Sequence, residues 1–437
     1  MEKRNNKNEY LTPNQRDQLQ YKLLKHQLNY VYNNSPFYRK KFNASGIKPE
    51  DIKKIKDVQK IPFTTKEELR NFNSDFFCIS MEQAVDIGAT TGTSGTPIIL
   101  PVTKNDWNNS IDSILSGLNG MGITKKNIIQ LCLAFDQLFS VSTPIDDALK
   151  IMGATSVRTG PGNTSRQLEL MKLLHTDVIF TTPDFMFILA EKAKEMGLDP
   201  SGDFYLEKAI LIGQPLWNTG WKPAVIKKQL ENEWGIEFFS VYGSMEMFTG
   251  FYECTHHRGH HTYNDYHYIE VIDPITGESL SDGEEGEIVS THLKMQGVPL
   301  VRFRQGDITS IERTACSCGR TSPRIMAITG RIDNMLKVKG TSVFPQQIED
   351  CIRDIKGVES YLIEVFSQKT LTDKIVINVS TSVNKKTLRE KIREEIKSRT
   401  RITPEVKFVT KEKIEGMIYQ NGTRKPKLFW DYRKKFL

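Results

Sequence analysis

At 437 residues, 38% of them hydrophobic, the chain has enough apolar material for two or three separately packed cores. Its net charge of +7 is spread along the sequence, which favours small anions over nucleic acid as the expected partner, although the basic end 424–435 keeps nucleic acid open. No apolar run reaches bilayer length and the start, MEKRNNKNEY, lacks a signal-peptide core, so a cytoplasmic, non-membrane protein is expected; six scattered cysteines are too few for a disulfide scaffold.

Leu19, Leu23, Leu24, Leu28 and Val31 at helical spacing predict a helix over 14–33, stopped by Ser35-Pro36. Helical and loop segments follow to about Met81. Then comes TTGTSGTP, Thr90 to Pro97, in which hydroxyls alternate with Gly92 and Gly95. Glycines allow close backbone approach and the hydroxyls of Thr90, Thr91, Thr93 and Ser94 supply donors, a composition suited to gripping phosphate. No Gly-Lys-Ser/Thr follows, so it is not a P-loop; a surface linker has the same composition.

A helix is expected over 107–121, a buried strand over 127–133, a helix over 144–152 and a strand over 154–159. The alternation continues with helices at 165–174, 185–196 and 223–233 and strands at 177–181, 208–212 and 236–241. It predicts an α/β domain of parallel strands covered by helices, with ligands at the strands' carboxyl ends. Two marked segments fall at such ends: Gly213 to Trp217, and Tyr242-Gly243-Ser244-Met245-Glu246. From residue 252 to 329 turns and short strands predict an antiparallel β unit. Helices at 344–355 and 386–398 with strands at 358–366, 374–380 and 406–409 then make a small α+β domain.

The order of motifs resembles the adenylate-forming superfamily, and within it the phenylacetate–coenzyme A ligase branch: TTGTSGTP, GPGNTSRQLELM (160–171), YGSMEM (242–247), DPITGE (273–278), RFRQGD (302–307), CSCGRTSPRIMAITGRIDNM (316–335) and VKGTSVFPQQIE (338–349). Each string is weak alone, and seven in order are strong. The resemblance implies the adenylate-forming fold: an N-terminal ATP- and acid-binding domain, 1–332, and a mobile C-terminal domain, 333–437, hinged at Asp333. It implies ATP-dependent conversion of a carboxylic acid to an acyl adenylate, then to a thioester with coenzyme A. A carrier protein or an amine as acceptor, or a non-catalytic nucleotide binder, are the alternatives; a homodimer is left open.

By the same resemblance the Thr90 to Gly95 loop holds the β- and γ-phosphates, although Thr96 stands where a lysine is usual. Gly213, Tyr242 and Gly243 border the nucleotide, with Tyr242 against adenine. Ser244 lies near the α-phosphate or the acid's carboxylate, and Glu246 is the Mg²⁺ ligand, as a hard cation requires. Asp307 takes the ribose hydroxyls, Arg331 contacts ribose or phosphate, and the adenylation lysine aligns with Lys425, with Lys427 the close rival.

Cys254, His261, Cys316 and Cys318 offer three thiolates and an imidazole, the ligand set of a closed, structural Zn²⁺ site, with His260 able to replace His261. Buried thiols with exposed histidines are the plainer alternative. For the acid, Phe135 and Phe139 read as walls of an aryl pocket or as core, with Trp217 nearby. Val141 and Ser142, where the family has glycines, and Gly-Gln-Pro-Leu-Trp in place of Gly-Ala-Glu-Pro-Trp, argue for an aryl or arylacetic acid other than phenylacetate itself.

Overall fold

The computed structural model describes residues 7–90, 97–136, 138, 141–334, 336–338, 341–353, 355–367, 373–418 and 428–433. The chain forms two compact units, one of residues 1–222, 226–305 and 309–327, the other of 223–225, 306–308 and 328–437. The long changeover falls at 327/328, against the expected 332/333.

In the first unit, a capping box opens α1 (Pro13–Asn34): Thr12 N donates to Gln15 Oε1 at 3.0 Å and Gln15 N to Thr12 Oγ1 at 3.4 Å. Ser35 ends that helix and at once caps a second, α2 (Pro36–Ser45), because Pro36 suits a first helical position. Leu24, Leu28, Val31, Tyr38 and Phe42 from these helices are buried against Leu293, Leu300, Val301 and Phe303. The short α3 (Lys66–Asn71) follows, boxed by Thr65 and Glu68. Next, β1 (Asp86–Ala89) and β2 (Ile99–Val102) form an antiparallel ribbon.

The βα alternation is present. In chain order it comprises α4 (Lys104–Gly120), β3 (Ile128–Leu131), α5 (Ser142–Met152), β4 (Thr155–Arg158), α6 (Thr164–Leu173), β5 (Val178–Thr181), α7 (Pro183–Glu195), β6 (Lys208–Ile212), the short β7 (Trp217–Asn218) and β8 (Lys222–Pro223), α8 (Val225–Trp234) and β9 (Glu237–Ser244). Helix α4 starts three residues before the expected Trp107, because Thr103 and Asp106 box its N-terminus. Strand β9 runs past the expected Val241 to Ser244, because β10 (Thr249–Tyr252) turns back and pairs with it, Ser244 opposite Thr249.

The expected β unit contributes to two sheets. Strands β11 (His260–His261), β15 (Ile311–Glu312) and β16 (Arg324–Ile325) extend the central sheet, whose order is β15-β16-β11-β10-β9-β6-β5-β3-β4, parallel from β9 to β4 and antiparallel on the other side. Strands β12 (His267–Ile272) and β13 (Gly286–His292) pair antiparallel, with His267 opposite His292, and β14 (Phe303–Thr309) joins their sheet.

In the second unit, Asp307 and Ile308 of β14 pair with β17 (Gly330–Arg331). Strands β18 (Leu336–Val338) and β19 (Thr341–Val343) form a ribbon before α9 (Pro345–Arg353). A four-stranded sheet, β22 (Glu405–Phe408)-β21 (Asp373–Ser380)-β20 (Ser360–Ser367)-β23 (Phe429–Asp431), buries Ile363, Val365, Ile377 and Val379 against Leu388, Ile392 and Ile396 of α10 (Lys385–Thr400). Helix α11 (Lys411–Ile418) and β23 are additions to the expected elements.

Candidate active site and cysteine–histidine centre

The glycine-hydroxyl loop springs from the β1–β2 ribbon. Beyond the last strand pair, Thr90 N donates to Ile98 O at 3.1 Å and Ile98 N to Thr90 Oγ1 at 3.2 Å, so the stem is hydrogen-bonded up to the loop itself. Thr91, Gly92, Thr93, Ser94 and Gly95, with Thr96, lie outside the described residues.

The Tyr242 to Glu246 segment occupies the carboxyl end of β9 and the turn after it. A Cβ on Gly243 would stand 2.7 Å from Thr249 O, so the close β9–β10 approach requires glycine there. Tyr242 is buried beside Phe251, ring centroids 6.4 Å apart. The Ser244 hydroxyl donates to Gln305 Oε1 at 3.0 Å and accepts from Met247 N at 3.2 Å, while Gln305 Nε2 donates to Ser290 Oγ at 2.8 Å. Glu246 is 5% exposed, and Lys66 of α3 brings its ammonium 2.7 Å from Oε1, close enough for charge pairing though off the hydrogen-bonding line.

The turn is also held from beneath. His292 Nδ1 accepts from Leu300 N at 2.9 Å, which leaves the proton on Nε2 to donate to Met247 O at 3.2 Å. Complete burial disfavours a second proton and pushes this imidazole down to about 4.

At the neighbouring strand end, Gly213 turns the chain with φ of 88°. Gln214 Nε2 donates to Asp184 Oδ2 at 2.8 Å. Trp217 is buried, its indole N–H donating to Glu253 Oε1 at 2.8 Å and its ring stacked 4.7 Å from Trp221. The buried Glu253 carboxylate also accepts from Ser240 N at 2.8 Å and binds His257 Nδ1 at 2.6 Å. Trp217 thus braces its segment from within. Phe135 is 37% exposed, past the end of β3. Phe139 lies outside the described residues.

Asp307 and Arg331 are brought together as cross-strand partners, with Arg331 Nε 2.7 Å from Asp307 Oδ1. Asp333 falls in a single 3₁₀ turn, Ile332–Asn334. Lys425 and Lys427 lie outside the described residues.

The four metal-ligand candidates converge. One donor atom from each of Cys254, His261, Cys316 and Cys318 lies within 4.8 Å of every other. The Cys254 and Cys316 sulfurs are 3.8 Å apart, too far for a disulfide, and Cys318 Sγ is 3.5 Å from His261 Nε2. Tetrahedral sulfur ligands about 2.3 Å from a zinc ion stand about 3.8 Å from one another, so the spacing fits that ion. Ser322 Oγ, 3.1 Å from His261 Nδ1, orients the ring. His260 takes no part: as the next residue along β11 it faces the other way, and its Nε2 lies 2.7 Å from Ser240 Oγ. The contact between Cys254 and Cys318 pushes the first thiol up and the second down.

Sequence reasoning missed Lys66, Gln305, Glu253 and the Gln214–Asp184 pair. Only Lys66 had a local signal, the Thr65-x-x-Glu68 box that starts its helix, and that says nothing about Glu246.

Residues 340–433 match the family model described as the AMP-binding enzyme C-terminal domain. The phenylacetate–coenzyme A ligase of Escherichia coli (strain K12) is 32% identical over 405 residues, 90% of each chain. That of Thermus thermophilus is 32% identical over 368 residues, 83% of this chain and 81% of the other. Among solved structures, 2-hydroxyisobutyryl-CoA ligase in its postadenylation state with 2-HIB-AMP gives a TM-score of 0.84 at 22% identity, covering 99% of this chain and 92% of that one. At that identity the likeness carries the fold, which is the adenylate-forming one.

Proposed function

Because the chain belongs to the phenylacetate–coenzyme A ligase family, we propose that it uses ATP to convert an aryl or arylacetic acid to an acyl adenylate and then passes the acyl group to coenzyme A. The observation that carries this reading is 32% identity sustained over 90% of both chains with the E. coli ligase.

A carboxylate attacking a phosphate brings two anions together, so the protein's part is positioning and charge compensation. Tyr242 packs against adenine, with Gly213 and Gly243 beside it, and Asp307 accepts from the ribose hydroxyls next to Arg331. The Thr90 to Gly95 loop holds the outer phosphates. Ser244, its rotor set by Gln305 and Met247 N–H, lies near the reacting carboxylate, and Lys425 reaches the α-phosphate in the adenylation step. Phe135 and Phe139 border the acid, with Trp217 behind the Gly213 segment. Glu246, buried and met by the Lys66 ammonium, fits Mg²⁺, which when bound spreads the phosphates' negative charge. Cys254, His261, Cys316 and Cys318 fit a closed Zn²⁺ site that ties β10–β11 to the 316–318 turn. The domains divide near Asp333, which serves as the hinge.

None of the helices among the described residues is long and apolar enough to cross a membrane. ATP and coenzyme A are abundant in the cytoplasm, and a cytoplasmic location is proposed on that ground. The deciding experiment is pyrophosphate release from Mg-ATP across a panel of aryl and arylacetic acids, followed by addition of coenzyme A. Acid-dependent release with stoichiometric thioester is expected. Release without thioester would move the acceptor to a carrier protein or an amine, and no acid-dependent release would remove the reading.

A further inference from the structure

We propose that Gln214 selects for an acid whose aryl ring carries a hydrogen-bond donor, a hydroxyl or an amino group; this rests on the acid-activating reading above and narrows it. Strands β5 and β6 are parallel neighbours, Thr181 opposite Leu211. Gln214 lies just past the end of β6, and Asp184 in the first turn of α7, just past the end of β5. A carboxylate only accepts, so the amide nitrogen must face Asp184, as it does at 2.8 Å, and this fixes which end of the amide is the carbonyl. The carbonyl, Oε1, is then buried with no donor to meet it among the described residues. Thr181 Oγ1, at the carboxyl end of β5, is likewise buried with no partner among the described residues.

A buried acceptor without a donor is the mark of a place that a ligand completes. The placement of the side chain narrows which ligand. In the sheet order β9-β6-β5-β3, Gln214 leans from β6 toward β5, away from Tyr242 on β9 and toward the side where Phe135 follows β3. The side chain thus lies on the acid's side of β6; its carbonyl diverges from the Asp184-bound nitrogen, which makes the amino group of adenine the competing donor that the test separates.

The test uses the intact enzyme and kcat/KM for acid-dependent pyrophosphate release. The acids are benzoic and phenylacetic acid, their ring-hydroxylated and ring-aminated forms, and the matching methyl ethers, which keep the oxygen but donate nothing. The hydroxyl or amino acid is expected to exceed both its parent and its methyl ether by about tenfold or more, since a site built to accept a hydrogen bond rejects a ligand that offers none. Gln214→Leu should bring the ratio to about one. Should that variant fold poorly, Asp184→Asn serves: it frees the amide to flip and shifts the preference toward the methyl ether.

Equal rates with hydroxyl and methoxy acids in the parent enzyme would overturn the proposal. So would a Gln214→Leu variant that raises KM for ATP by the same factor with every acid, since the carbonyl would then be serving the amino group of adenine. Failure of every acid to release pyrophosphate would instead overturn the wider reading and this one with it.

Discussion

Lys66 Nζ and Glu246 Oε1 lie 2.7 Å apart, joining a short N-terminal helix to the turn after the central strand β9. The carboxylate is almost wholly buried whereas the lysine side chain is 40% exposed, so the pair is asymmetric: losing the lysine strands a buried charge, and a divalent cation can take the lysine's place. Lys66→Met should lower stability by about 1 kcal/mol without added Mg²⁺, a figure discounted for the exposed ammonium. Millimolar Mg²⁺ should restore more stability to the variant than it adds to the parent. Urea midpoints with and without Mg²⁺ check both, and a variant indifferent to Mg²⁺ would detach Glu246 from the metal.

The cysteine–histidine centre predicts a composition. Purified protein should carry about one zinc per chain by elemental analysis, and Cys316→Ser should lose most of it together with several degrees of Tm. The N-terminal segment should report the loss as well. Arg320 bridges the centre to that segment, donating to Cys318 Sγ at 3.8 Å and lying 3.2 Å from the buried Glu9 carboxylate, whose backbone carbonyl accepts from Thr321 and Ser322 N. Chelation should therefore speed proteolysis before α1 ahead of cleavage elsewhere. Less than about a tenth of an equivalent of zinc would remove the assignment.

What the sequence made legible is what depends on local pattern or rare residue types. Lys208–Ile212 was readable to the residue because an apolar run between breakers has few alternatives, and the metal candidates stood out because cysteine and histidine are scarce. The choice between His260 and His261 was not readable, since consecutive strand residues differ only in the face they present. The end of the eight-residue β9 was not readable either, since it depended on β10 pairing back onto it. Helix α11 and strand β23 were missed because one is short and highly charged and the other is three residues long, made a strand only by its parallel pairing with β20. The polar pairs Lys66–Glu246, Gln214–Asp184 and Ser244–Gln305 join residues far apart in the chain, and nothing in one short string announces the other.

Acid sensitivity should follow from His292. Its folded-state value, about 4, lies below the ordinary 6.5, so between those values the unfolded chain binds a proton that the native imidazole refuses. Stability therefore rises with pH across that window and is lost as pH falls through it, by about 2 kcal/mol between pH 7 and pH 5 for this group. Burial lowers the adjacent His267 in the same direction. His292→Gln, whose amide can accept from Leu300 N and donate to Met247 O, should show a flatter profile. Urea unfolding at the two pH values measures the difference, and parallel profiles for parent and variant would mean that the histidine is protonated in the fold.

Lys425, proposed for the α-phosphate, should separate the two half-reactions. An ammonium at the α-phosphate matters while negative charge builds there, and has no equivalent part once AMP is the leaving group and a thiol attacks the acyl carbon. Lys425→Ala should slow acid-dependent pyrophosphate release by about a hundredfold or more, the range typical for loss of one transition-state charge partner. Conversion of a supplied acyl adenylate to the coenzyme A thioester should change by less than about threefold in the same variant, because the proposed role ends with adenylation. Lys427→Ala is the internal control, expected to leave both steps near the parent's rate. If the pattern appears in Lys427→Ala instead, the role moves two residues along the chain; if Lys425→Ala slows both steps equally, the lysine holds the fold and takes no specific part in adenylation.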